Sequence, residues 1–368
     1  MKRFILFSIL PLLVIYYSCK KETIIKEVPI THSWSLDSNF YGINKILLTS
    51  LPLNDTLIAV ASNYIITYVN AKKLGYTESI GIPEKSYFSS LAPPSMSKTF
   101  TVSVSNPNRL VVFSTYYPTF QGGVPISFSP TYSSSITTQK SLPVGSLFYS
   151  GCPIVNDKYV LAPFETDWTG SKATFSLIKV GKIGLTTSIF STKNITAEAA
   201  PTTFFSGGVD FSASFFGKFF YTYNTQFFRI DTLGNVKSFG LNPMLNAPSS
   251  CVSQMFTLNN NLFALAGGTF FVSQDQGETW SVFYKCVAGD NYSALTYYNV
   301  GKEVYGAYLS QLCKVTLSGE TLKFQELDND GLQGSQITSI NKCGKYAFVT
   351  TLSGLYYRDT TTFNTFKK

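Results

Sequence analysis

Three short stretches of this 368-residue chain place side chains that could work on a sugar. Phe164-Glu-Thr-Asp-Trp-Thr-Gly170 offers Glu165 and Asp167 as carboxylates and Trp168 as a flat apolar platform for a sugar ring. Tyr116, Tyr117 and Phe120 form a second aromatic group, and Asp290 with Tyr292 a smaller third one. Opposed carboxylates about 5–10 Å apart would supply the acid and base, or acid and nucleophile, of glycan cleavage. Carboxylates dispersed among aromatic platforms would instead make a binding surface. The plain alternative for each stretch is a solvated turn whose ring packs on a neighbour.

Other chemistries are excluded by what the chain lacks. His32 is the only histidine, so neither a histidine triad nor a histidine-rich metal site can form within the chain. Besides Cys19 the cysteines are Cys152, Cys251, Cys286, Cys313 and Cys343, none at the C-x-x-C spacing of zinc or redox sites. They read as small buried hydrophobes, with a Cys251–Cys286 bridge as the alternative. Glu326-Leu-Asp-Asn-Asp-Gly331 begins like a calcium loop, but Ile337 occupies the position of the bidentate Glu. A turn between repeats is the better reading. Gly267-Gly268 opens no helix and so cradles no phosphate. No catalytic residue, metal ligand or cofactor is assigned. The formal net charge of +8 is carried mostly by Lys, without basic runs. That suits solubility and proximity to anionic lipid and argues against a nucleic-acid partner, where clustered Arg is expected.

The elements that must position these residues are strands. The chain holds 31 Phe and 23 Tyr, with abundant Ser, Thr and Val, and no stretch beyond the first eighteen residues keeps a helical period. One apolar strand recurs: Leu57-Ile-Ala-Val-Ala, Leu110-Val-Val-Phe-Ser, Tyr159-Val-Leu-Ala-Pro, Phe219-Phe-Tyr-Thr-Tyr, Leu262-Phe-Ala-Leu-Ala, Val304-Tyr-Gly-Ala-Tyr and Tyr346-Ala-Phe-Val-Thr. The spacing settles at about 42 residues, the length of a propeller blade of four short strands. The expected fold is therefore all-β, a β-propeller of seven four-stranded blades filling residues 43–368 as one domain, with six or eight blades as alternatives. Ser33-Trp-Ser-Leu is expected to close the ring by pairing with the last blade near Phe363-Asn-Thr-Phe.

Ser273-Gln-Asp-Gln-Gly-Glu-Thr-Trp280 matches the S-x-D-x-G-x-T-W pattern at every fixed position and resembles the Asp-box of sialidase-like (BNR-repeat) β-propellers. Asp275 suits a turn because its carboxylate accepts backbone N–H groups that the turn leaves unpaired. Gly277 supplies a positive φ, Ser273 and Thr279 supply hydroxyls, and Trp280 a large ring to bury between sheets. The resemblance implies that this turn joins the third and fourth strands of a blade, on the side away from the usual active site. Binding then falls to turns between second and third strands and to connections between blades. On that assignment the candidate loops are residues 83–98, 116–123, 163–172, 194–208 and 285–292. The candidate binding face is Tyr116, Tyr117, Phe120, Glu165, Asp167, Trp168, Asp290 and Tyr292. The last copy, around Tyr346-Ala-Phe-Val-Thr-Thr-Leu-Ser-Gly-Leu-Tyr, resembles blades of bacterial sensor propellers. Sialidase activity is not implied: Phe228-Arg-Ile-Asp231 replaces the Pro of the family's F/Y-R-I-P motif. Arg109, Arg229 and Arg358 also stand at positions that do not converge on one carboxylate.

The N-terminus carries an address. Lys2 and Arg3 precede an almost unbroken apolar run from Phe4 to Tyr17, too short to span a membrane, which reads as a signal peptide over residues 1–18. Cys19-Lys-Lys-Glu22 follows directly and resembles the lipidation site of Bacteroidetes-type lipoproteins. That resemblance implies acylation of Cys19, with residues 19–42 holding the anchor and a tether. The expected protein is a lipid-anchored envelope component of a Gram-negative bacterium, held at the outer membrane. Its propeller is expected to be a non-catalytic binding or assembly module for a glycan or an envelope protein. The alternative is a carboxylate-dependent glycan-cleaving enzyme, either a glycoside hydrolase or a lyase.

Overall fold

Each of the seven recurring apolar runs is the second strand of an antiparallel sheet in the computed structural model. These strands are Leu57–Ser62, Val111–Thr115, Tyr159–Glu165, Lys218–Tyr223, Asn261–Ala266, Glu303–Tyr308 and Tyr346–Thr351. The structure describes residues 32–40, 46–62, 65–81, 100–101, 111–115, 125–130, 139–141, 147–148, 154–155, 158–165, 172–183, 186–198, 209–223, 226–239, 252–285, 291–332 and 336–367. Among them are seven sheets, six of four strands and one of five, numbered here as blades 1 to 7 in chain order. In blade 3 the first-strand place is shared by Leu147–Phe148 and Ile154–Val155, both paired with Tyr159–Glu165.

The burial pattern explains why the second strands are apolar on both faces. Only the first residue of Asn261–Ala266, and of Tyr346–Thr351, is not buried. A strand between two flanking sheets has no wet side, so alternation gives way to a continuous apolar run. The outermost strands differ: Val236–Phe239 and Thr321–Glu326 expose Lys237, Ser238, Thr321, Lys323 and Gln325.

The core lies between blades. Phe175, Tyr221 and Phe228 join blades 3 and 4. Phe220 and Phe227 pack with Leu262 and Phe271 between blades 4 and 5. Phe256 stacks on Phe263 within blade 5 and, with ring centroids 4.8 Å apart, on Tyr297 of blade 6. Further clusters join blade 6 to blade 7 and blade 7 to blade 1. Between those last two, Ser50 bonds Ser339 at 2.8 Å, and Thr338 donates to the Leu47 carbonyl at 2.8 Å. Sheets that pack face to face in succession, with the last returning to the first, form a β-propeller.

The ring closes through the N-terminal segment, as expected, but on a different partner. Ser35–Leu36 pairs with Gly354–Asp359, the third strand of blade 7, through Ser35↔Tyr357 and Leu36↔Tyr356. Phe363 belongs instead to a short helix, Thr360–Phe363, whose first amides are capped by Asp359. It meets the closing segment through its ring, which packs edge-on against Trp34 at 5.7 Å. The connection after blade 6 locks the closure. Ser33 donates to Asp328, the Trp34 amide to the Asp330 carbonyl at 3.0 Å, and buried Arg358 to the Asp328 carbonyl at 2.8 Å. The stretch that resembles a calcium loop is thus a connection between blades. Residues 33–40, inside the stretch expected to be a tether, pack on the propeller instead. Ser33–Lys368 forms one compact unit. Among the described residues, no helix is long and apolar enough to cross a membrane.

Because the strands of each blade alternate in direction, consecutive turns alternate in side. First-to-second and third-to-fourth turns share one side, called here the hairpin side. Second-to-third turns and the connections between blades share the other, the connection side.

Candidate binding face

Of the residues nominated from the sequence, Glu165 and Tyr292 are among the described residues, and both stand on the connection side. Tyr116, Tyr117, Phe120, Asp167, Trp168 and Asp290 lie outside the described residues. Glu165 ends the second strand of blade 3, with its backbone opposite Leu147. Tyr292 lies in the 3-10 turn Asn291–Ala294, which leads into blade 6. Its half-buried ring stacks on Phe324 with centroids 3.7 Å apart, and its carbonyl accepts the Tyr297 hydroxyl at 2.6 Å. Gln254 of blade 5 fixes the same connection, donating to the Leu295 carbonyl at 2.6 Å and accepting the Tyr297 amide at 2.8 Å. Tyr292 is therefore a rigid wall of the face and not a swinging ring.

Beyond it, the second-to-third turn of blade 6 presents two side chains that sequence reasoning missed. Tyr308 is 46% exposed and Leu309 is 58% exposed. Leu309 sits at φ +52, a left-handed backbone that costs a leucine about 1–2 kcal/mol. The Leu309 carbonyl accepts the Ile337 amide at 2.8 Å, tying this turn to the innermost strand of blade 7. The signal was readable: Leu309-Ser310 stands at a tight turn where Gly, Asn or Asp is usual. An exposed aromatic beside an exposed, strained leucine is a surface suited to apolar or sugar-ring contacts.

The hairpin side uses its polar groups on the fold. In the 273–280 turn, Asp275 accepts the amides of Glu278 and Thr279 at 3.0 and 2.8 Å and the hydroxyls of Ser273 and Thr279. The Ser273 hydroxyl in turn accepts the Gly277 amide at 2.7 Å. Desolvation opposes ionisation of Asp275, but bonds from Thr279, Ser273 and Glu278 outweigh it and hold the carboxyl well below its usual range. Trp280 packs edge-on against Phe227 of blade 4 at 5.6 Å. Glu278 reaches the same blade, pairing with Arg229, with Lys218 at 3.0 Å and with Lys237 at 3.6 Å. Bonds from Arg229 and Lys218 hold its pKa down to about 2.

A second cluster joins blades 6 and 7. Glu303 accepts from Lys314 at 2.6 Å, from Lys342, from the Tyr305 hydroxyl at 2.9 Å and from Asn364 at 3.1 Å. Burial works against its charge, yet Lys314, Lys342 and Tyr305 hold it down to about 2. Arg229 and Arg358 are therefore committed to separate ion pairs in separate blades, with Glu278 and Asp328. Arg109 lies outside the described residues. Cys313 and Cys343 are free thiols, each pushed up to about 11 by burial, and act as small core residues. The other cysteines lie outside the described residues. Among the described residues, no cluster of three or more His, Cys, Asp or Glu is placed to hold a metal.

No protein-family model matches the chain, and no curated protein matches it in sequence. Solved structures match it in shape. The chain is similar to a streptogramin B lyase, 12% identical, with a TM-score of 0.51 over 88% of this chain and 97% of that one. It is similar to a catalytically inactive virginiamycin B lyase from Staphylococcus aureus with quinupristin, 11% identical, TM-score 0.53, over 89% and 98%. An extracellular domain from B. thetaiotaomicron, 9% identical, matches at a TM-score of 0.51 over 89% of this chain and 39% of that one. At such identities the likeness is one of fold, and that fold is the β-propeller.

Proposed function

We propose that the protein is an exported lipoprotein, cut before Cys19 and acylated there, in the envelope of a Gram-negative bacterium. Its propeller is a non-catalytic binding or assembly module that takes a glycan or an envelope protein on the connection side. The turn at residues 273–280 is on this reading an Asp-box that serves as a folding device and marks a propeller, not a sialidase. One observation carries the binding reading: Tyr308 and Leu309 stand exposed beside the rigid Tyr292 connection, with Leu309 in a strained backbone. Asp231, Asp275, Glu278, Glu303, Asp328 and Asp359 are drawn below their ordinary pKa by the bonds they make within the fold, so none of these six is poised as a general acid. A general acid needs the opposite shift.

The second reading is a glycan-cleaving enzyme that uses Glu165, Asp167 and Asp290. In its favour, the same fold carries a streptogramin B lyase. The inactive virginiamycin B lyase differs by one histidine-to-alanine change, whereas the one histidine here, His32, precedes the first blade. Two experiments separate these claims. Cys19→Ala should release the protein from the membrane fraction; unchanged fractionation would sink the lipoprotein assignment. The purified chain without its signal should bind on a glycan or envelope-protein array and leave glycans uncut. Cleavage abolished by Glu165→Gln or Asp167→Asn would install the enzyme reading instead.

A further inference from the structure

Among the described residues, the lysines that stand in turns lie on one side of the propeller. Lys72 and Lys73 stand in the third-to-fourth turn of blade 1, and Lys158, Lys302 and Lys345 in the first-to-second turns of blades 3, 6 and 7. All are exposed. Every one of these turns belongs to the hairpin side. Among the described residues, the turns and connections of the opposite side hold no lysine. The hairpin side carries acids too, but most are committed: Asp231, Asp275 and Asp359 to turn amides, Glu278 to blade 4. Asp55 and Glu320 are the exposed exceptions.

Two exposed apolar side chains stand on the same side, in turns of blade 4. Phe216, in the first-to-second turn, is 37% exposed at φ +50, and Leu233, in the third-to-fourth turn, is 72% exposed. Basic turns and protruding apolar tips on one side are the composition of a surface that meets anionic lipid. The lysines attract the headgroups and the tips enter the interface.

We infer that the hairpin side is a docking surface for an anionic phospholipid bilayer. The propeller seats these turns on the membrane and turns the connection side, with Tyr308 and Leu309, away from it. In orienting the binding face this rests on the function proposed above, but the lipid contact itself does not need the anchor. The test uses the mature chain carrying Cys19→Ala, which has no acyl group, and sedimentation with vesicles. It binds vesicles of phosphatidylglycerol with phosphatidylcholine and ignores phosphatidylcholine alone. Binding disappears at about 1 M salt, where charges are screened beyond about 3 Å. Lys302→Glu with Lys345→Glu, and separately Lys72→Glu with Lys73→Glu, each lower partitioning by about tenfold or more. Lys323→Glu with Lys367→Glu changes the net charge equally on the fourth strand of blade 6 and the C-terminal tail. That control stays within about twofold of the parent. Absence of phosphatidylglycerol-dependent binding overturns the inference, and so does an equal loss in the control, which would reduce the effect to net charge. Because no lipid is attached, neither outcome depends on whether Cys19 anchors the protein in cells.

Discussion

The third-to-fourth-strand turns of blades 4 and 5 perform one task with two sequences. In blade 5, Asp275 caps the turn and Gly277 passes through φ +88. In blade 4, Asp231 accepts the amides of Leu233 and Asn235 at 2.9 and 2.8 Å, and Gly234 passes through φ +87. The spacing from Asp to Gly differs by one residue, so the second turn escapes the pattern of the first. Asn70 caps the corresponding turn of blade 1 in the same manner, and Asp359 caps the short helix that follows the third strand of blade 7. The shared requirement is therefore a short side-chain acceptor at the end of the third strand. What distinguishes blade 5 is its grip on its neighbour, through Trp280, Glu278 and the close approach of Gly277 to Phe220.

The largest effects should come from that approach. A Cβ on Gly277 would lie 2.6 Å from the Phe220 ring, which is fully buried and has nowhere to move. A Cβ on Gly234 would meet only the ends of flexible side chains, Lys193 Nζ at 3.0 Å and Ile195 Cδ1 at 3.1 Å. Both substitutions carry left-handed strain of about 1–2 kcal/mol. Gly277→Ala adds an overpacking cost of about 1–3 kcal/mol. Urea midpoints should show Gly277→Ala clearly below Gly234→Ala. Equal losses would mean that blade 4 holds its turn as tightly as blade 5.

Next in size are the caps. Asp275→Ala removes the acceptor of two amides and two hydroxyls and is expected to cost about 2 kcal/mol. Asp231→Ala is expected to cost about 1 kcal/mol. The two should also differ in pH response. Both carboxyls are depressed in the folded state, Asp275 the further. Their contribution is present above the ordinary Asp value of about 3.9 and is lost as pH falls through it towards the folded value. Unfolding midpoints of the parent should drop between about pH 5 and pH 2. Asp275→Ala should flatten that drop, Asp231→Ala less so, and an identical profile in both variants would erase the distinction between the turns.

This contrast marks how far the sequence was legible. The seven second strands could be read because a strand covered on both sides must be apolar throughout, as Leu262-Phe-Ala-Leu-Ala is. The 273–280 turn could be read because its letters are fixed by a dense hydrogen-bond set. The caps Asn70, Asp231 and Asp359 could not, since one Asx with variable spacing is common in any loop. The closing strand was placed in the right blade but against the wrong partner. Ser35–Leu36 is too short to specify its own register, and contacts from Ser33 and Trp34 to Asp328 and Asp330 fix it from a distance. On the connection side, Tyr292 was nominated for its ring. Tyr308 and Leu309 were passed over because the strain of Leu309-Ser310 shows only as the absence of the usual Gly, Asn or Asp, and exposure is not written in residue type.

The smallest expected effects test the grip between blades. Glu278 is half-exposed, but its partner Arg229 is mostly buried, so Glu278→Gln leaves a guanidinium short of charge and should cost about 1–2 kcal/mol. The counterpart in blade 4 is a single exposed bond, Lys193 Nζ to the Leu233 carbonyl at 2.7 Å. Lys193→Met should cost about 0.5 kcal/mol or less. Salt sharpens the comparison. Lys237 approaches Glu278 through an exposed side chain and Lys218 through a half-buried one, so the Lys237 share fades most at about 1 M salt, whereas the Arg229 share persists. The cost of Glu278→Gln should therefore shrink with salt without vanishing. Complete disappearance would make the clamp a surface ion pair, and the grip of blade 5 would then rest on Trp280 and Gly277 alone.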